Sequence, residues 1–531
     1  MPSKIILLSG PVSAGKTTLA RLLATRFGAR HFKTWEVIRN LFPRAQSERR
    51  VLQRRGETLD RQTQGRWVAD ALVRQMTPDD PLVVVDAVRI REQIVAIRRA
   101  FGSAVVHVHL LAPREELERR YAKRPSTAIR ELTSYAAVLQ NRTERGVRRL
   151  ERIADVLIDT KSCQPEDVLA RTAAYLGLYG RDAQLVDVIV GGQFGSEGKG
   201  HVASYLAREY DVLVRVGGPN AGHTVFREPE TYTFHHLPSG TFRNEQATLV
   251  IGPGAVIYPP ILLREIAHHK VAAGRLFIDP RVMIIEEADR MRERPLVREI
   301  GSTGQGVGAA TARRIMGRYR GIKLAHDLRD LKPFLRETLE VLEVAYARGQ
   351  RILLEGTQGT GLSLYHGPYP YVTSRDTTVS GSLAEAGIPP RRVRKVIMVC
   401  RSYPIRVESP RGRSSGPLSI PLNWTIIAKR SRLDAHTLRQ AERTSTTHRR
   451  RRVGEFDWDL LRKAATLNSP TDVALTFVDY LSASNRDARR FEQLTPESIR
   501  FIQEVERVSS APVSLISTRF DYRSIIDRRQ W

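Results

Sequence analysis

A glycine-rich segment ending in lysine and threonine is the first candidate for chemistry in this sequence. Residues 10–17 read GPVSAGKT, which places Gly10, Gly15, Lys16 and Thr17 at the spacing of a phosphate-binding loop. The glycines let backbone N–H groups curl around phosphate oxygens, Lys16 would reach the β- and γ-phosphates, and the Thr17 hydroxyl would bind Mg²⁺. The pattern predicts a site that transfers the γ-phosphoryl group of a nucleoside triphosphate.

The elements around this loop are those that such a site needs. An apolar strand (IILL, 5–8) precedes the loop, and a helix with leucines along one face follows it. A second strand, LVVVDAVR at 82–89, ends in Asp86. We expect Asp86 to hold the water shell of the metal, with Arg89 near the acceptor, although a carboxylate at a strand end can also cap the next helix.

A third strand at 104–112 leads into a helix that carries Arg119, Arg120 and Arg124. These arginines predict either a basic lid over the transferred phosphoryl group or a solvated charged face. Residues 34–60 would then bind the acceptor. The whole segment resembles the nucleoside-monophosphate-kinase branch of P-loop proteins, but only the phosphate-binding loop is specific, and the acceptor is left open.

A second apolar strand that runs into glycines, VDVIVGG at 186–192, begins another unit. Before it, residues 165–176 predict an amphipathic helix, and the stretch up to 185 predicts a linker. We therefore predict an α/β protein of two domains: a P-loop kinase-like parallel sheet over 1–180 and a second α/β fold over 184–531. Residues 406–416 (RVESPRGRSSG) predict a mobile loop within the second domain.

Composition limits the class of protein. The 531 residues are 41% hydrophobic, as in globular proteins, and apolar runs are too short for a membrane helix. The two cysteines suggest neither a metal site nor a redox site, so we expect a cytoplasmic protein. The net charge of +28 raises the question of nucleic acid. Because the basic residues are spread along the whole chain, sites for phosphorylated small molecules are the favoured explanation.

Several motifs of the second domain, in the same order along the chain, resemble the adenylosuccinate synthetase family. They are GQFGSEGKG at 192–200, GPNAGHT at 218–224, STGQGVG at 302–308, EGTQG at 355–359, HGPYPYVTS at 366–374, TTHRRRRVG at 446–454 and LTFVD at 475–479. The resemblance implies that family's α/β fold and its reaction. There, the γ-phosphoryl group of a triphosphate activates the 6-oxygen of a purine nucleoside monophosphate, and the amine of L-aspartate then displaces it, with GTP or ATP as donor.

The resemblance also implies roles for individual residues. Lys199, with the amides of Gly198 and Gly200, would hold the γ-phosphate, and His223 would be the acid that stabilises the oxygen. The carbonyl of Gly222 would bind Mg²⁺. The remaining contacts to nucleotides are assigned to Glu197, Asn220, Ala221, Thr303, Gln358, Thr373, Arg449 and Asp479 (the last reading the donor base), and those to aspartate are assigned to Thr446, Thr447 and Arg451.

One departure from the family bears on catalysis. Ser196 stands where the family has the aspartate that takes the N1 proton and binds Mg²⁺. A serine hydroxyl is a poor base, so the domain is either inactive or changed in its substrate. A guanine carries a 2-amino group beside N1, and a shorter side chain leaves room and an acceptor for it. Serine here also resembles the phage-type 2-aminoadenylosuccinate synthetases, which act on dGMP.

Other departures concern the donor and the oligomer. Phe477 replaces a lysine that packs on the guanine of GTP, and residues 517–519 (STR) replace another guanine contact, so GTP and ATP both stay open. Gln305 and His448 depart from the family near the aspartate site. Gly317 lies where the family has an arginine that crosses the dimer interface, which leaves the homodimer an open alternative.

Three hypotheses follow from these residues. The first is a bifunctional enzyme: a ligase that joins aspartate to a 6-oxopurine nucleotide, slightly favouring (d)GMP over IMP, fused to a P-loop (deoxy)nucleotide kinase. The second is a catalytically silent nucleotide-binding or regulatory protein, against which Lys16, Lys199 and His223 argue. The third, a nucleic-acid-binding protein, has only the net charge in its favour.

Overall fold

The chain folds into two compact units, Met1–Arg181 and Asp182–Trp531. The computed structural model describes residues 4–42, 49–77, 80–123, 134–179, 183–227, 230–319, 321–409, 414–444 and 448–530. Both units are α/β, as predicted. No helix in these ranges combines the length and the apolar character that crossing a membrane requires.

The first unit is a parallel sheet between helices. Its strands are β1 (Lys4–Ser9), β2 (Arg30–Lys33), β3 (Leu82–Asp86), β4 (Val105–Leu111) and β5 (Val156–Asp159), in the order β2-β3-β1-β4-β5. The helices are α1 (Lys16–Phe27), α2 (Thr34–Leu41), α3 (Arg49–Thr63), α4 (Arg66–Gln75), α5 (Arg91–Phe101), α6 (Arg114–Ala122), α7 (Tyr135–Leu139), α8 (Arg142–Gly146) and α9 (Pro165–Leu176). The helix predicted over 165–176 is confirmed as α9.

Alternation along β1 shows why a continuous apolar run folds as a central strand. Ile6 and Leu8 pack into one buried cluster, and Ile5 and Leu7 pack into another. Successive side chains of a strand point to opposite faces, so a strand covered by helices on both sides needs apolar residues throughout. The phosphate-binding loop therefore follows a strand that is rigidly held in the sheet.

The second unit is built on a larger sheet. Its strands are β6 (Val186–Gly191), β7 (Val212–Arg215), β8 (His223–Arg227), β9 (Glu230–Phe234), β10 (Thr248–Ile251), β11 (Val256–Ile257), β12 (Leu276–Ile278), β13 (Met283–Ile284), β14 (Ile352–Glu355), β15 (Val393–Arg401), β16 (Ile405–Val407), β17 (Pro421–Leu422), β18 (Arg451–Gly454), β19 (Asp472–Thr476), β20 (Val513–Ser517) and β21 (Ile525–Asp527). The main sheet has the order β12-β10-β7-β14-β6-β15-β19-β20-β21, parallel except for β21.

Helices cover both faces of this sheet, and small antiparallel pieces stand at its edge. The helices are α10 (Lys199–Leu206), α11 (Pro259–His268), α12 (Glu287–Arg292), α13 (Arg294–Ile300), α14 (Val307–Met316), α15 (Thr338–Ala347), α16 (Val379–Ala386), α17 (Trp424–Ser431), α18 (Ala435–Ala441), α19 (Trp458–Asn468) and α20 (Pro496–Ser509). Strands β8 and β9 form a hairpin, and β16, β18 and β17 form a separate antiparallel sheet.

The glycine loops of both units occupy equivalent places. One follows β1, which lies between β3 and β4, and the other follows β6, which lies between β14 and β15. Ligands of open parallel sheets bind beyond the carboxyl ends of such central strands. Gly15 and Gly198, with φ of 102° and 88°, precede the first residues of α1 and α10, so each loop turns directly into the positive end of a helix.

The predicted mobile loop at 406–416 is partly wrong. Ile405–Val407 form strand β16, and the Arg406 side chain is buried, with Nε donating to the Ser415 carbonyl at 2.8 Å. The strand pairs with β18, a long-range partner that the local run of serine, glycine and arginine does not reveal. Residues 410–413 lie outside the described part of the chain.

Candidate functional site

A cavity of about 990 Å³ in the second unit gathers most of the residues that the motifs singled out. It lies beyond the carboxyl ends of the central strands. The predicted residues that line it are Ser196, Gly198, Lys199, Gly200, Asn220, Ala221, Gly222, His223, Thr303, Gln358, Thr373, Arg451 and Asp479. These residues come from segments almost 300 positions apart, and the sheet topology brings their loops together.

Lys199 is held under the glycine loop by a carboxylate. Its Nζ lies 2.7 Å from Oε2 of Glu197, and both side chains are 1% exposed. The other oxygen of Glu197 accepts from the amides of Gln193 at 3.1 Å and Gly195 at 2.7 Å. Glu197 does not line the cavity, because its carboxylate is used to shape the loop. In this structure Glu197 supports the loop and Lys199, and its predicted contact to nucleotide stays a prediction.

His223 is oriented by a buried acidic centre. Its Nδ1 is hydrogen-bonded to Glu355, which also accepts from the Ser239 hydroxyl and amide and from Nη1 of Arg215 at 3.2 Å. Nη2 of Arg215 reaches the carbonyl of Ala221 at 3.1 Å and so ties down the loop before His223. The Nε2 of His223 is buried without a hydrogen-bond partner among the described residues, which makes it available to a ligand in the cavity.

The charges in this centre are set by burial and by Arg215. Burial lowers the pKa of His223 to about 4, and Arg215 acts in the same direction, against Glu355. Burial raises the pKa of Glu355, but Arg215 and His223 outweigh it and leave that pKa lowered to about 2. Glu355 is therefore an anion that accepts from Nδ1–H, and the lone pair of neutral His223 lies on Nε2.

A second buried carboxylate organises the basic end of the cavity. Glu442 accepts from Arg401 at 2.7 Å, from Arg451 at 2.9 Å and from the Tyr480 hydroxyl at 2.9 Å. Burial raises the pKa of Glu442, yet Arg401 and Arg451 reverse this and lower it to about 2. The Arg401 guanidinium also lies 4.0 Å from the centre of the Phe477 ring. Arg451 is thus fixed where it can meet a carboxylate.

Arg406 adds a cation that sequence reasoning missed. It lines the cavity, stacks 4.4 Å from the centre of the Phe194 ring and donates to the Tyr371 carbonyl at 2.9 Å. Its Nη1 is buried with no hydrogen-bond partner in the described chain. Burial lowers the pKa of Arg406 to about 10, so the group is still a cation at neutral pH.

The remaining predicted contacts divide between the cavity wall and its support. Gln358 donates to the Thr373 hydroxyl at 2.7 Å, and Oδ1 of Asn220 is buried without a partner among the described residues. Arg449 does not line the cavity; it donates to the carbonyls of Gly301 at 3.3 Å and Ser302 at 2.6 Å, just before Thr303. The predicted Thr446 and Thr447 lie outside the described residues.

Ser196 and Asp479 both face the cavity. The Ser196 carbonyl accepts from Nη1 of Arg401 at 3.3 Å, which fixes its backbone. Burial raises the pKa of Asp479 to about 6, although an ion pair with Arg486 at 3.3 Å opposes this shift. Asp479 therefore titrates much closer to neutrality than an ordinary aspartate.

The first unit has its own cavity, of about 770 Å³, beside the phosphate-binding loop. Of the predicted residues, those that line it are Gly15, Lys16, Thr17, Asp86, Arg89 and Arg120. Gly10 does not. At φ 128° it passes so close to β4 that an added Cβ would lie 2.1 Å from the carbonyl oxygen of Leu110. Gly10 therefore allows the close approach of the backbone to β4, and its contribution to phosphate binding stays a prediction.

The polar groups at this loop form one network. Nζ of Lys16 donates to the carbonyls of Gly10 and Pro11, both at 2.7 Å. Burial raises the pKa of Asp86, but hydrogen bonds from His31 and Thr17 and the charge of Lys16 more than compensate, so the pKa is lowered. An ionised Asp86 beside the Thr17 hydroxyl supplies the hard oxygen donors that Mg²⁺ prefers.

Two predicted arginines of this unit already have carboxylate partners. Arg89 is paired with the buried Glu144. Arg120 donates to Glu116 at 2.7 Å and to the hydroxyl and carbonyl of Thr160 at 2.9 and 2.7 Å, which fixes it at the cavity rim. Arg119 is exposed and paired with Glu116, as expected of a solvated helix face, whereas Arg124 lies outside the described residues.

Comparison with known proteins agrees with the division of the chain into two different units. A family model described as adenylosuccinate synthetase matches residues 188–330 and 323–486, and one described as an AAA domain matches residues 5–153. The adenylosuccinate synthetase of Methanocaldococcus jannaschii is 40% identical over 350 residues, covering 64% of this chain and 96% of that protein. The Archaeoglobus fulgidus enzyme is 39% identical over 350 residues, covering 65% and 98%.

Two solved structures share the fold of the second unit. Fully ligated adenylosuccinate synthetase from Plasmodium falciparum has a TM-score of 0.57 and 21% identity, covering 65% of this chain and 100% of that one. Succinoaminodeoxyadenylate synthetase of cyanophage S-2L, bound to dGMP and to dATP as an energy donor, has a TM-score of 0.55 and 26% identity, covering 66% and 96%.

Replacing Glu355 by Gln should destabilise the second unit, because the buried guanidinium of Arg215 would lose its opposing charge. We expect the free energy of unfolding to fall by about 3–5 kcal/mol in urea denaturation. Glu497→Gln, at an exposed carboxylate paired with Arg500, is the matched control and should change it by less than about 0.5 kcal/mol. Equal stability of the two variants would contradict a charged centre at Glu355.

Replacing Gly191 by Ala should displace the loop lysine. An added Cβ would lie 2.7 Å from Oε2 of Glu197 and 2.8 Å from Nζ of Lys199. We expect a loss of about 1–3 kcal/mol of stability and weaker binding of a nucleoside triphosphate, measured by calorimetry. Gly274→Ala, where nothing lies within 4 Å of the new Cβ, should bind as the parent chain does. Unchanged binding by the Gly191 variant would refute tight packing here.

Proposed function

The chain belongs to the adenylosuccinate synthetase family, and from this membership we propose a specific reaction for its second unit: L-aspartate is joined to C6 of a 6-oxopurine nucleoside 5′-monophosphate, with (d)GMP favoured over IMP and with GTP or ATP as donor. The family assignment covers a ligase that forms a C–N bond. The observation that carries the proposal is that one cavity is lined by buried Lys199 and by His223, whose Nε2 has no hydrogen-bond partner among the described residues.

In the first step, the 6-oxygen of the purine bonds to the γ-phosphorus, the bond to the β-phosphate oxygen breaks and the nucleoside diphosphate leaves. The N1 proton passes to water, because the Ser196 hydroxyl is a poor base. Lys199 and the amides of Gly198 and Gly200 offset the charge that develops on the phosphoryl group. His223 stabilises the reacting oxygen through Nε2. Although burial keeps the resting imidazole neutral, the incoming phosphates and the Glu355 carboxylate both favour its protonated form, which donates to that oxygen.

In the second step, the amine of aspartate bonds to C6, and inorganic phosphate leaves with the former 6-oxygen. Positioning of the amine requires that both carboxylates of aspartate be held. The cations suited to this task are Arg451, which Glu442 fixes, and Arg406, whose Nη1 has no hydrogen-bond partner in the described chain. Thr446 and Thr447 stay candidates from the motif alone.

The residues present can hold Mg²⁺ in both cavities, because they offer oxygen donors that combine well with phosphate oxygens. In the ligase cavity the donors are the Gly222 carbonyl and the Ser196 hydroxyl, since Glu197 is committed to Lys199. In the first unit they are Thr17 and Asp86. The ion would neutralise charge on the transferred phosphoryl group.

The preference for a guanine nucleotide rests on Ser196. A neutral, short hydroxyl at the cavity wall leaves space and an acceptor for a 2-amino group, where a carboxylate would bind N1–H of hypoxanthine. The cyanophage enzyme that binds dGMP is 26% identical to this chain, which supports the same choice here. The loss of the carboxylate equally favours a second candidate function, a silent nucleotide-binding or regulatory protein, and only turnover separates the two.

For the first unit we propose a kinase activity that depends on the phosphate-binding loop. Lys16, Thr17 and Asp86 support this proposal, because they interact with one another and line a cavity large enough for a second substrate. The motif predicted a (deoxy)nucleotide kinase, and a monophosphate made by the ligase would be one use for it. Operation as a homodimer in the cytoplasm is proposed on the family resemblance and composition.

The ligase is tested by offering IMP, GMP and dGMP with aspartate and either GTP or ATP. We expect a succinyl-purine product, formed fastest from the guanine nucleotides, as measured by chromatography and mass spectrometry. Lys199→Ala should abolish it because the γ-phosphate loses its buried cation. Lys16→Ala, the matched change in the other unit, should leave it intact.

The outcome of this assay distinguishes the guanine-specific ligase from an IMP-specific ligase and from a catalytically silent protein. Turnover of IMP alone would overturn the guanine preference, and Ser196→Asp should move the parent enzyme toward IMP if that preference is real. Ligand-induced thermal shifts without product from any pair of substrates would establish the silent protein instead.

The raised pKa of Asp479 predicts a pH dependence of donor use. Its carboxylate is ionised above about pH 6 and loses its charge as the pH falls through that value. If it accepts from a guanine edge, the KM for GTP should rise about tenfold between pH 7 and pH 5, whereas an ordinary aspartate would stay ionised there. Asp479→Asn should remove this dependence, and Asp330→Asn, at an exposed site, should preserve it. A flat profile in the parent chain would exclude this contact.

A further inference from the structure

The part of the first unit's cavity that is built by α3 and α8, and not by the phosphate-binding loop, is lined by carboxylates. Glu57 and Asp60 come from α3, and Glu144 comes from α8. This part is the place for the acceptor, because the loop and the start of α1 are where the triphosphate binds. The acceptor therefore meets mainly negative charge.

The cationic side chains in the described lining either lie on the triphosphate side of the cavity or form an ion pair with a carboxylate. Arg89 is paired with Glu144, and Lys33 lies 2.9 Å from Glu36. Lys16, Arg21, Arg120 and Lys123 line the cavity from the loop, α1 and the α6 end, which is the triphosphate side. A nucleoside monophosphate dianion needs cations of its own, such as the bidentate arginines that bind phosphate elsewhere.

The hydrogen bonds in this part of the cavity point the same way. Indole Nε1 of Trp67 and the amide of Gln93 both donate to Oδ1 of Asp60, at 2.7 and 2.9 Å. Asn141 and Thr143 both donate to Oε1 of Glu57, at 2.8 and 3.2 Å. These N–H and O–H donors of the wall therefore bind and orient the carboxylates of Asp60 and Glu57.

In the described part of the chain, no hydrogen bond reaches Oδ2 of Asp60 or Oε2 of Glu57. Because this wall offers hydrogen-bond acceptors, it favours a ligand that carries hydrogen-bond donors. A phosphate dianion has only acceptors, so it would leave these oxygens unpaired and face their charge.

Building on the kinase activity proposed above, we infer that the acceptor is an unphosphorylated polyhydroxyl compound, neutral or cationic, whose hydroxyl or amine groups donate to Asp60 and Glu57. The acceptor's hydroxyl oxygen bonds to the γ-phosphorus of the triphosphate, and the bond from that phosphorus to the β-phosphate oxygen breaks. The hydroxyl proton passes to a carboxylate of the cavity, and the nucleoside diphosphate leaves.

Asp60 is suited to accept a hydrogen bond from such an acceptor. Burial raises the pKa of Asp60, and the hydrogen bonds from Trp67 and Gln93 only partly offset the rise. A carboxylate with a raised pKa accepts a hydrogen bond more strongly than one in water. The nucleotide acceptor that the motif predicted is thereby replaced by a class that includes nucleosides, sugars and amino sugars.

The test uses the full chain with Mg²⁺ and ATP and two groups of acceptors. One group is uncharged or cationic: deoxyguanosine, inosine, glucose, glucosamine and kanamycin. The other is anionic: dGMP and AMP. ADP release and the gain of one phosphoryl group, seen by mass spectrometry, are measured for each. We expect phosphorylation within the first group only, abolished by Lys16→Ala.

A substitution at the carboxylate wall provides the second measurement. Glu57→Gln should lower kcat/KM for the phosphorylated acceptor by about 10- to 100-fold, because a charged hydrogen bond is lost, while the KM for ATP stays the same. Glu118→Gln, an exposed carboxylate of α6 paired with Arg114, is the matched control and should leave both constants unchanged. Thermal unfolding of each variant, compared with that of the parent chain, reports whether the first unit is folded, because ligase turnover would report only the second unit.

The outcomes separate this inference from the kinase proposal on which it rests. Lys16-dependent phosphorylation of dGMP or AMP, with none of the uncharged compounds used, would leave the kinase standing and overturn the acceptor class. If no compound in either group is phosphorylated in a Lys16-dependent way, both the kinase proposal and the acceptor class are overturned. An unaltered kcat/KM in Glu57→Gln would refute the role of the carboxylate wall.

Discussion

A buried lysine must be given an electrostatic partner wherever a backbone loop is shaped to hold phosphate, and both halves of this protein are organised by that constraint. In the second unit the partner is Glu197, whose two oxygens bind Lys199 and the loop amides together. In the first unit Lys16 is held by two loop carbonyls, and Asp86 lies close enough to feel its charge. Each arrangement holds the ammonium group of the lysine in the loop that follows a central strand.

The ligase cavity extends the same principle to larger networks. Glu355 and Glu442 are buried carboxylates, and each is stabilised by three side chains: Arg215, His223 and Ser239 for Glu355, and Arg401, Arg451 and Tyr480 for Glu442. Glu355 lies outside the lining of the cavity, whereas Glu442 contributes to it. Their effect is to hold His223 and Arg451 in fixed orientations, and a preorganised donor acts on a transition state without the cost of reorienting.

The two cavities differ most in the charge of the side chains that line the proposed binding site of the second substrate. In the second unit, the region around Arg406 and Arg451 is basic, which suits the dicarboxylate of the proposed aspartate substrate. In the first unit, the wall built by α3 and α8 is acidic, and its neutral donors are turned onto the carboxylates. Similar glycine loops therefore stand beside cavity walls of opposite charge. The basic wall is built from strands β16 and β18, and the acidic wall is built from helices α3 and α8.

The sequence alone determined the features that depend on neighbouring residues. Apolar runs predicted β1 and β6, the pattern GPVSAGKT predicted a phosphate-binding loop, and residues 165–176 predicted α9, because strand alternation, helix periodicity and glycine turns are local. Ordered motifs also identified the ligase family. The tertiary structure alone decided which side chains meet. Glu355 reaches His223 across 132 positions, and Asn141 reaches Glu57 across 84. Such pairs are set by strand order in the sheet, and no local pattern records which distant carboxylate will be buried beside a given histidine, arginine or amide.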